Sequence, residues 1–219
     1  MSVEIIKDHT SPNVSLRRRP ITMGVIHATV GNFKSSLDWL CHPASRVSSN
    51  YLLSKEGVIY ELADPAKYTA WHAGYCKVDG KLDAGVNEYS IGYELENLNN
   101  GDDPYPDVQV AALTELVKLH VAQFSIPGNR LVRHLDIAYP WGRKSDPAGF
   151  PWDTWRAQFA ALKKKVTATD GLNIRTGPGI NNSIVGKKGF GEVVEVLETA
   201  NGWSRTRDGW MSSLFLKIV

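Results

Sequence analysis

Ile21-Thr22-Met23-Gly24-Val25-Ile26-His27 is a short apolar run, rich in β-branched residues, that ends on an imidazole. Bounded as it is, it reads as a buried strand that delivers His27 to the end of a sheet. Downstream, a helix is expected around Ser35 to Cys41, stopped by Pro43. Asn50-Tyr51-Leu52-Leu53-Ser54 and Val58-Ile59-Tyr60-Glu61-Leu62 flank the turn Lys55-Glu56-Gly57 and read as a hairpin. Tyr89 to Glu96 reads as another strand. Asp107 is placed to cap a long helix to about Phe124, with Leu113, Leu116, Val117, His120 and Phe124 recurring on one face. Arg130-Leu131-Val132-Arg133 is a short strand that leads into His134. A last helix is expected from an N-cap at Asp153, with Trp155, Phe159 and Leu162 on its packed face. Strands mixed with helices predict an α/β domain, a mixed central β-sheet flanked by helices.

Beyond Lys163-Lys164-Lys165 the texture changes. Helical periodicity ends, and short β runs alternate with glycines at 171, 177, 179, 186, 189, 191, 202 and 209. That pattern predicts a small all-β barrel. The boundary is placed near Lys164, giving domains 1–163 and 164–219. Trp203 and Trp210 are either groove aromatics or barrel core, with core favoured.

Composition narrows the functional classes. Hydrophobic content of 42% in 219 residues supports a sizeable core, and no apolar stretch approaches the ~18 residues of a membrane helix. The first residues, Met1-Ser2-Val3-Glu4-Ile5-Ile6-Lys7-Asp8, lack the charged and apolar regions of a secretory signal. Arg17-Arg18-Arg19 has no apolar run to make it a twin-arginine signal and reads as a solvated turn. Cys41 and Cys76 make neither a disulfide scaffold nor a zinc ribbon and read as buried free thiols. Net charge is +2. Lys164 to Val219 holds 8 Lys/Arg and 5 Asp/Glu, while the preceding residues hold 17 and 18. A basic tail on a near-neutral body suits an anionic surface such as a cell wall. Aromatics do not interleave with a basic stripe, so a nucleic-acid groove is not expected.

Of the histidines at 9, 27, 42, 72, 120 and 134, His27 and His134 each stand at the end of a strand-like run, and Asp146 follows twelve residues after His134. Two imidazoles and one carboxylate are a proper set for catalytic zinc, with a fourth position left for water. Spacing alone does not separate this reading from three unrelated structural residues.

Six ordered blocks bear on the choice: Gly24-Val25-Ile26-His27-Ala28-Thr29; Val47-Ser48-Ser49-Asn50-Tyr51-Leu52-Leu53-Ser54-Lys55-Glu56-Gly57; Ala70-Trp71-His72-Ala73-Gly74; Ser90-Ile91-Gly92-Tyr93-Glu94-Leu95-Glu96; His134-Leu135-Asp136-Ile137-Ala138; and Gly142-Arg143-Lys144-Ser145-Asp146-Pro147. From Ile21 to about Phe159 the chain resembles the type 2 N-acetylmuramoyl-L-alanine amidases, which share a fold with phage lysozyme-type amidases and peptidoglycan recognition proteins. The resemblance implies one zinc ion held by His27, His134 and Asp146, catalytic assistance from Glu94 and Lys144, and a substrate groove lined by Trp71 and His72. It places Tyr51 where some relatives use a catalytic tyrosine. Asn50 stands where a histidine is common, and Tyr139-Pro140-Trp141 is a bulky connection. From Val166 on, Gly171-Leu172-Asn173-Ile174-Arg175-Thr176-Gly177-Pro178-Gly179 and the pairs Gly202-Trp203 and Gly209-Trp210 resemble a bacterial SH3-type domain, which implies attachment to cell walls.

The expected function is hydrolysis of the amide between N-acetylmuramic acid and L-alanine in peptidoglycan, by a monomer that binds neither nucleic acid nor membrane. A phage endolysin held in the host cytoplasm until release, or a bacterial autolysin, fits this reading. The rivals are a glycosidase using Glu94 and Glu96 as its carboxylate pair, a non-catalytic peptidoglycan receptor, and a cysteine peptidase using Cys76.

Overall fold

The computed structural model describes residues 4–160 and 162–219; Met1 to Val3, where the terminal reading began, and Ala161 lie outside the described residues. The chain divides between Arg156 and Ala157 into two compact units.

The first unit runs β1 (Ile5–Ile6), β2 (Val14–Leu16), β3 (Met23–Ala28), α1 (Phe33–Leu40), β4 (Tyr51–Leu53), β5 (Ile59–Glu61), β6 (Tyr68–Ala70), β7 (Cys76–Val78), β8 (Lys81–Asp83), β9 (Ser90–Leu95), α2 (Asp107–Phe124), β10 (Leu131–Arg133), α3 (His134–Ile137) and α4 (Trp152–Ala157). Its main sheet has the order β1-β5-β4-β9-β3-β10. The β4–β5 hairpin is antiparallel, while β4, β9, β3 and β10 pair in parallel. All six residues of β3 are buried, as a central parallel strand requires. The sheet is therefore mixed, as expected.

Register assigns the two faces. His27 lies opposite Glu94, and Glu94 opposite Leu52; Ile26 lies opposite Tyr93, and Tyr93 opposite Tyr51. Cross-strand partners share a face and neighbours along a strand do not. His27, Glu94 and Leu52 thus belong to one face, and Tyr51 and Tyr93 to the other. On the His27 face, Leu52 joins Leu37 and Leu40 of α1, and Met23 and Val25 join Ala73, Cys76, Val86 and Ile137. On the opposite face α2 buries Leu113, Leu116, Val117 and His120. The His120 Nδ1 lies 2.8 Å from the Tyr93 hydroxyl, and Tyr51 stacks on Tyr93.

Several expectations are corrected. The N-cap of α2 is Pro106, and Asp107 is the first helical residue. There its carboxylate meets the positive end of the helix dipole without capping it. The last helix stops at Ala157, with Asp153 inside its first turn. Leu162–Val166 is a strand of the second unit, paired with Val193–Val196 and Leu216–Ile218. A boundary at Lys164 would cut that strand, so the division lies before it. Both cysteines are free, but only Cys76 is buried.

Arg17 is no solvated turn residue. Its Nε donates to the Pro65 carbonyl at 2.6 Å, its Nη1 to the Glu88 carbonyl at 2.8 Å, and its Nη2 to the Tyr68 and Ser90 carbonyls at 3.1 and 2.9 Å. One guanidinium ties β2 to β6 and to the start of β9. Lysine has three donors on one nitrogen and cannot reproduce this fork. Hydrogen bonds from a charged donor contribute about 1.5–3 kcal/mol each. Arg17→Lys is expected to lower stability by about 3 kcal/mol in urea titration; a midpoint unchanged from wild type would contradict the clamp.

The second unit continues with β11 (Leu162–Val166), β12 (Leu172–Arg175), β13 (Ile184–Lys188), β14 (Val193–Val196), β15 (Glu198–Ala200), β16 (Trp203–Thr206), β17 (Gly209–Ser212) and β18 (Leu216–Ile218). They form two antiparallel sheets, β14-β11-β18 and β13-β12-β17-β16-β15. The core is Val166, Leu172, Ile174, Val194, Val196, Met211 and Leu216. Neither tryptophan belongs to it. Trp210 is half-buried, and Trp203 lines a shallow groove of about 520 Å³ with Asp170, Arg175 and Phe215.

Candidate active site

β3 and β10 run side by side and deliver His27 and His134 to the same end of the sheet. His134 opens α3, whose N-terminus is held by the Asp136 carboxylate, which accepts from the Arg133 N–H at 3.1 Å. The Leu135 N–H donates to the Asp146 carbonyl at 2.9 Å, which fixes the Asp146 loop beside α3. Asn99 steadies the same loop, its Oδ1 accepting from the Ala148 N–H at 2.6 Å and its Nδ2 donating to the Ser145 hydroxyl at 3.0 Å.

Three donor atoms converge. The His27 and His134 Nδ1 atoms are 3.0 Å apart, His134 Nδ1 and Asp146 Oδ2 are 3.0 Å apart, and His27 Nδ1 and Asp146 Oδ2 are 3.2 Å apart. All three residues are buried, and they form a group able to hold a metal ion. Burial and the neighbouring His134 hold the His27 imidazole down at a pKa of about 4, so it is neutral at pH 7. Burial opposes ionisation of Asp146, but its contacts with His134 and His27 override that and hold it well below the usual carboxylate range. Neutral imidazole and ionised carboxylate are the forms that bind a divalent cation.

Glu94 faces the group from β9, its Oε1 4.0 Å from His27 Nδ1. Its other oxygen, Oε2, is buried without a hydrogen-bond partner among the described residues. Burial, together with the charge of Asp146 and against the pull of Lys144, raises its pKa to about 8. A cation in the donor group would bring it down again. Glu96 is differently placed: Oε1 accepts from the Phe33 N–H and Oε2 from the Lys55 N–H, both at 2.9 Å. It joins α1 and the hairpin to β9, and no oxygen is left for a second catalytic carboxylate.

These groups open into a cleft of about 220 Å³, lined also by Lys144, Trp71 and His72. Its outer wall adds Val30, Trp39 and Val47, each exposed. Trp39 is exposed because it points off the packed face of α1 that carries Leu37 and Leu40. Only the parity of the α1 face could have singled it out in sequence.

Tyr51 is not in the cleft. It lies on the α2 face of the sheet, its hydroxyl donates to Glu61 at 3.0 Å, and burial with Glu61 nearby pushes its pKa far above that of a free phenol. Its register, opposite Tyr93, keeps it off the face that carries His27 and out of the lining of this cleft. Asn50 is buried and scaffolds the sheet, donating to the Ala63 carbonyl and accepting from the Gly92 N–H. Trp141 is exposed and outside the lining of the cleft. The Cys76 thiol is buried in the core, and burial raises its pKa to about 11, unsuited to a nucleophile.

A mixed sheet here gathers two imidazoles and an ionised carboxylate, a group able to hold a metal ion, beside a buried glutamate in one cleft. The chain belongs to the N-acetylmuramoyl-L-alanine amidase family, whose model matches residues 17–149. The bacterial SH3 domain model matches residues 170–217. N-acetylmuramoyl-L-alanine amidase AmiD of Escherichia coli K12 is 36% identical over 143 residues, 58% of this chain and 49% of that protein. The chain therefore spans about half the length of that relative. A structure of AmiD from E. coli in complex with anhydro-N-acetylmuramic acid-L-Ala-D-γ-Glu-L-Lys is 29% identical, with a TM-score of 0.57 over 78% of this chain and 69% of that one. The crystal structure of an AmpD derivative (24% identity, TM-score 0.58, 72% of this chain and 95% of that one) shares the fold. So does the endolysin LysCS of Clostridium intestinale URNW (22%, 0.56, 71% and 94%).

Proposed function

We propose that the chain hydrolyses the amide between the lactyl group of N-acetylmuramic acid and L-alanine in peptidoglycan, using one zinc ion held by His27, His134 and Asp146. The donor triangle carries this reading. Tetrahedral zinc with bonds of about 2.0–2.1 Å sets neighbouring donors about 3.3 Å apart, close to the 3.0–3.2 Å found. Zinc there would polarise the scissile carbonyl and make water a competent nucleophile near neutral pH.

The protein's own groups do the rest. Glu94, whose Oε1 faces the metal group and whose Oε2 is unpaired among the described residues, takes the proton from water and passes it to the leaving nitrogen. Lys144, two residues before Asp146, reaches the cleft from solvent and stabilises negative charge on the carbonyl oxygen. Trp71 and Trp39 offer flat apolar walls to the glycopeptide. Digested walls should gain free L-alanine amino groups without new reducing ends; reducing ends instead would establish glycan cleavage.

The second unit binds the wall and takes no part in bond cleavage. The protein acts at the cell wall as a monomeric lytic enzyme, an endolysin or an autolysin. The excess of basic residues from Lys164 on and the Trp203 groove support this role. Tethering raises local enzyme concentration at an insoluble substrate without altering the chemistry. A chain ended after Ala160, ahead of β11, should cleave a soluble muropeptide as the full chain does. Its lysis of whole sacculi should fall on the order of 10²-fold. Unchanged sacculus lysis would reduce the unit to a structural cap.

A further inference from the structure

The His72 ring lies flat against β9 where Gly92 leaves room: a Cβ at position 92 would stand 2.6 Å from His72 Cγ. Both ring nitrogens are engaged. Nε2 is 3.0 Å from the Ser90 Oγ, and Nδ1 is 3.0 Å from the His27 Nε2. The Ser90 hydroxyl proton is already given to the Val86 carbonyl at 2.7 Å. Ser90 Oγ can then only accept from His72, so His72 carries its proton on Nε2 and accepts at Nδ1. His27 must in turn donate from Nε2. Its Nδ1 is left as a lone pair, and Nδ1 is the atom in the donor triangle.

The next residue partners the second imidazole. His134 Nε2 lies 3.1 Å from the Ala73 carbonyl, an acceptor alone, so when the Nδ1 lone pair is given to a cation the remaining ring proton has its partner at Nε2. The His72 and Ala73 N–H groups both donate to Asn87 Oδ1, at 3.2 and 2.8 Å, which locks the segment in place.

We infer that Ser90 and His72 are positioning residues: the chain Val86 carbonyl–Ser90–His72–His27 fixes the tautomer of His27 so that Nδ1 is ready to bind the metal. This rests on the zinc reading above. Outer partners of a metal-bound histidine set its tautomer and orientation, and their loss typically costs 10–100-fold in affinity. Without the Ser90 hydroxyl, His72 is free to move its proton to Nδ1. Two N–H groups would then face each other, and His27 relieves the clash by shifting its own proton to Nδ1, which blocks the ligand position.

The test uses the full chain, stripped of metal and titrated with zinc against a chromophoric chelator. Long-range proton–nitrogen NMR spectra of the imidazoles are recorded on the metal-free protein. Wild type should bind one zinc and show His27 protonated at Nε2. Ser90→Ala and His72→Leu should bind zinc 10–100-fold more weakly, with His27 shifted toward the Nδ1 tautomer in Ser90→Ala. Ser90→Thr keeps the hydroxyl, and His72→Gln keeps an acceptor toward His27 and a donor toward Ser90; both should recover most of the affinity. Ser90→Ala with wild-type affinity and His27 still protonated at Nε2 overturns the positioning role while leaving the metal reading intact. This arm decides the matter even where His72→Leu does not fold, since it removes one hydroxyl. Wild type that takes up no zinc overturns both.

Discussion

Removal of metal is expected to abolish amide cleavage, and one equivalent of zinc to restore it. His27, His134 and Asp146 are buried, and their donor atoms sit 3.0–3.2 Å apart. The cluster sets an ionised carboxylate between two imidazoles, the donor set that a divalent cation takes. A cation satisfies all three. Metal catalysis of this kind contributes several kcal/mol to the transition state, and each ~1.4 kcal/mol is tenfold in rate. Loss of activity by about 10³-fold or more is therefore expected in the chelated protein, and in His134→Ala and Asp146→Asn. Binding to the folded state alone also raises stability by mass action, so the zinc-loaded protein should melt higher than the stripped one. Asp146→Asn should lose most of that increment. Metal analysis, melting curves and turnover on one preparation check all three. Full turnover with no metal bound would end this mechanism.

The parts of the fold that were legible in sequence are those with strong local periodicity. The run ending at His27, the hairpin over Tyr51 to Glu61, the strand carrying Glu94 and the long helix from Asp107 all form where the pattern places them. What sequence could not resolve depends on partners far along the chain. Tyr51 belongs to a recognisable block, yet its direction follows from pairing with Tyr93, and a shift of one residue turns a side chain to the other face. Trp155, Phe159 and Leu162 suit helical spacing, but the strand from Leu162 to Val166 is decided by neighbours near residues 195 and 217. The acceptors around Arg17 are main-chain carbonyls between residues 65 and 90, which carry no sequence signal. Ser90 is hidden for a similar reason. Nothing in its block distinguishes it from an ordinary strand serine, and its role emerges only from the His72 ring laid across Gly92.

Glu94→Gln is expected to lower kcat by 10²–10⁴-fold, the usual contribution of a positioned acid or base, while zinc stays bound. The substitution keeps the shape of the side chain and removes its ability to carry a proton between water and the leaving nitrogen. Glu94 is singled out over Glu96 by its surroundings. Register on β9 sets Glu94 opposite His27 on the cleft face, and its Oε2 is buried with no partner among the described residues. Burying such an oxygen unpaired costs stability, and a proton-transfer role at the metal group accounts for it. Glu96, two residues on, spends both oxygens on the N–H groups of Phe33 and Lys55. Glu96→Gln exchanges one of those acceptors for an amide nitrogen, leaving a backbone donor unsatisfied. It should lower the melting temperature, shifting stability by about 1–3 kcal/mol, with kcat little changed. The two variants thus separate along different axes, Glu94→Gln in turnover and Glu96→Gln in stability. Both should be assayed with zinc content measured in the same sample, so that lost turnover is not lost metal. A live Glu94→Gln beside a folded, zinc-loaded but inactive Glu96→Gln would transfer the base to Glu96.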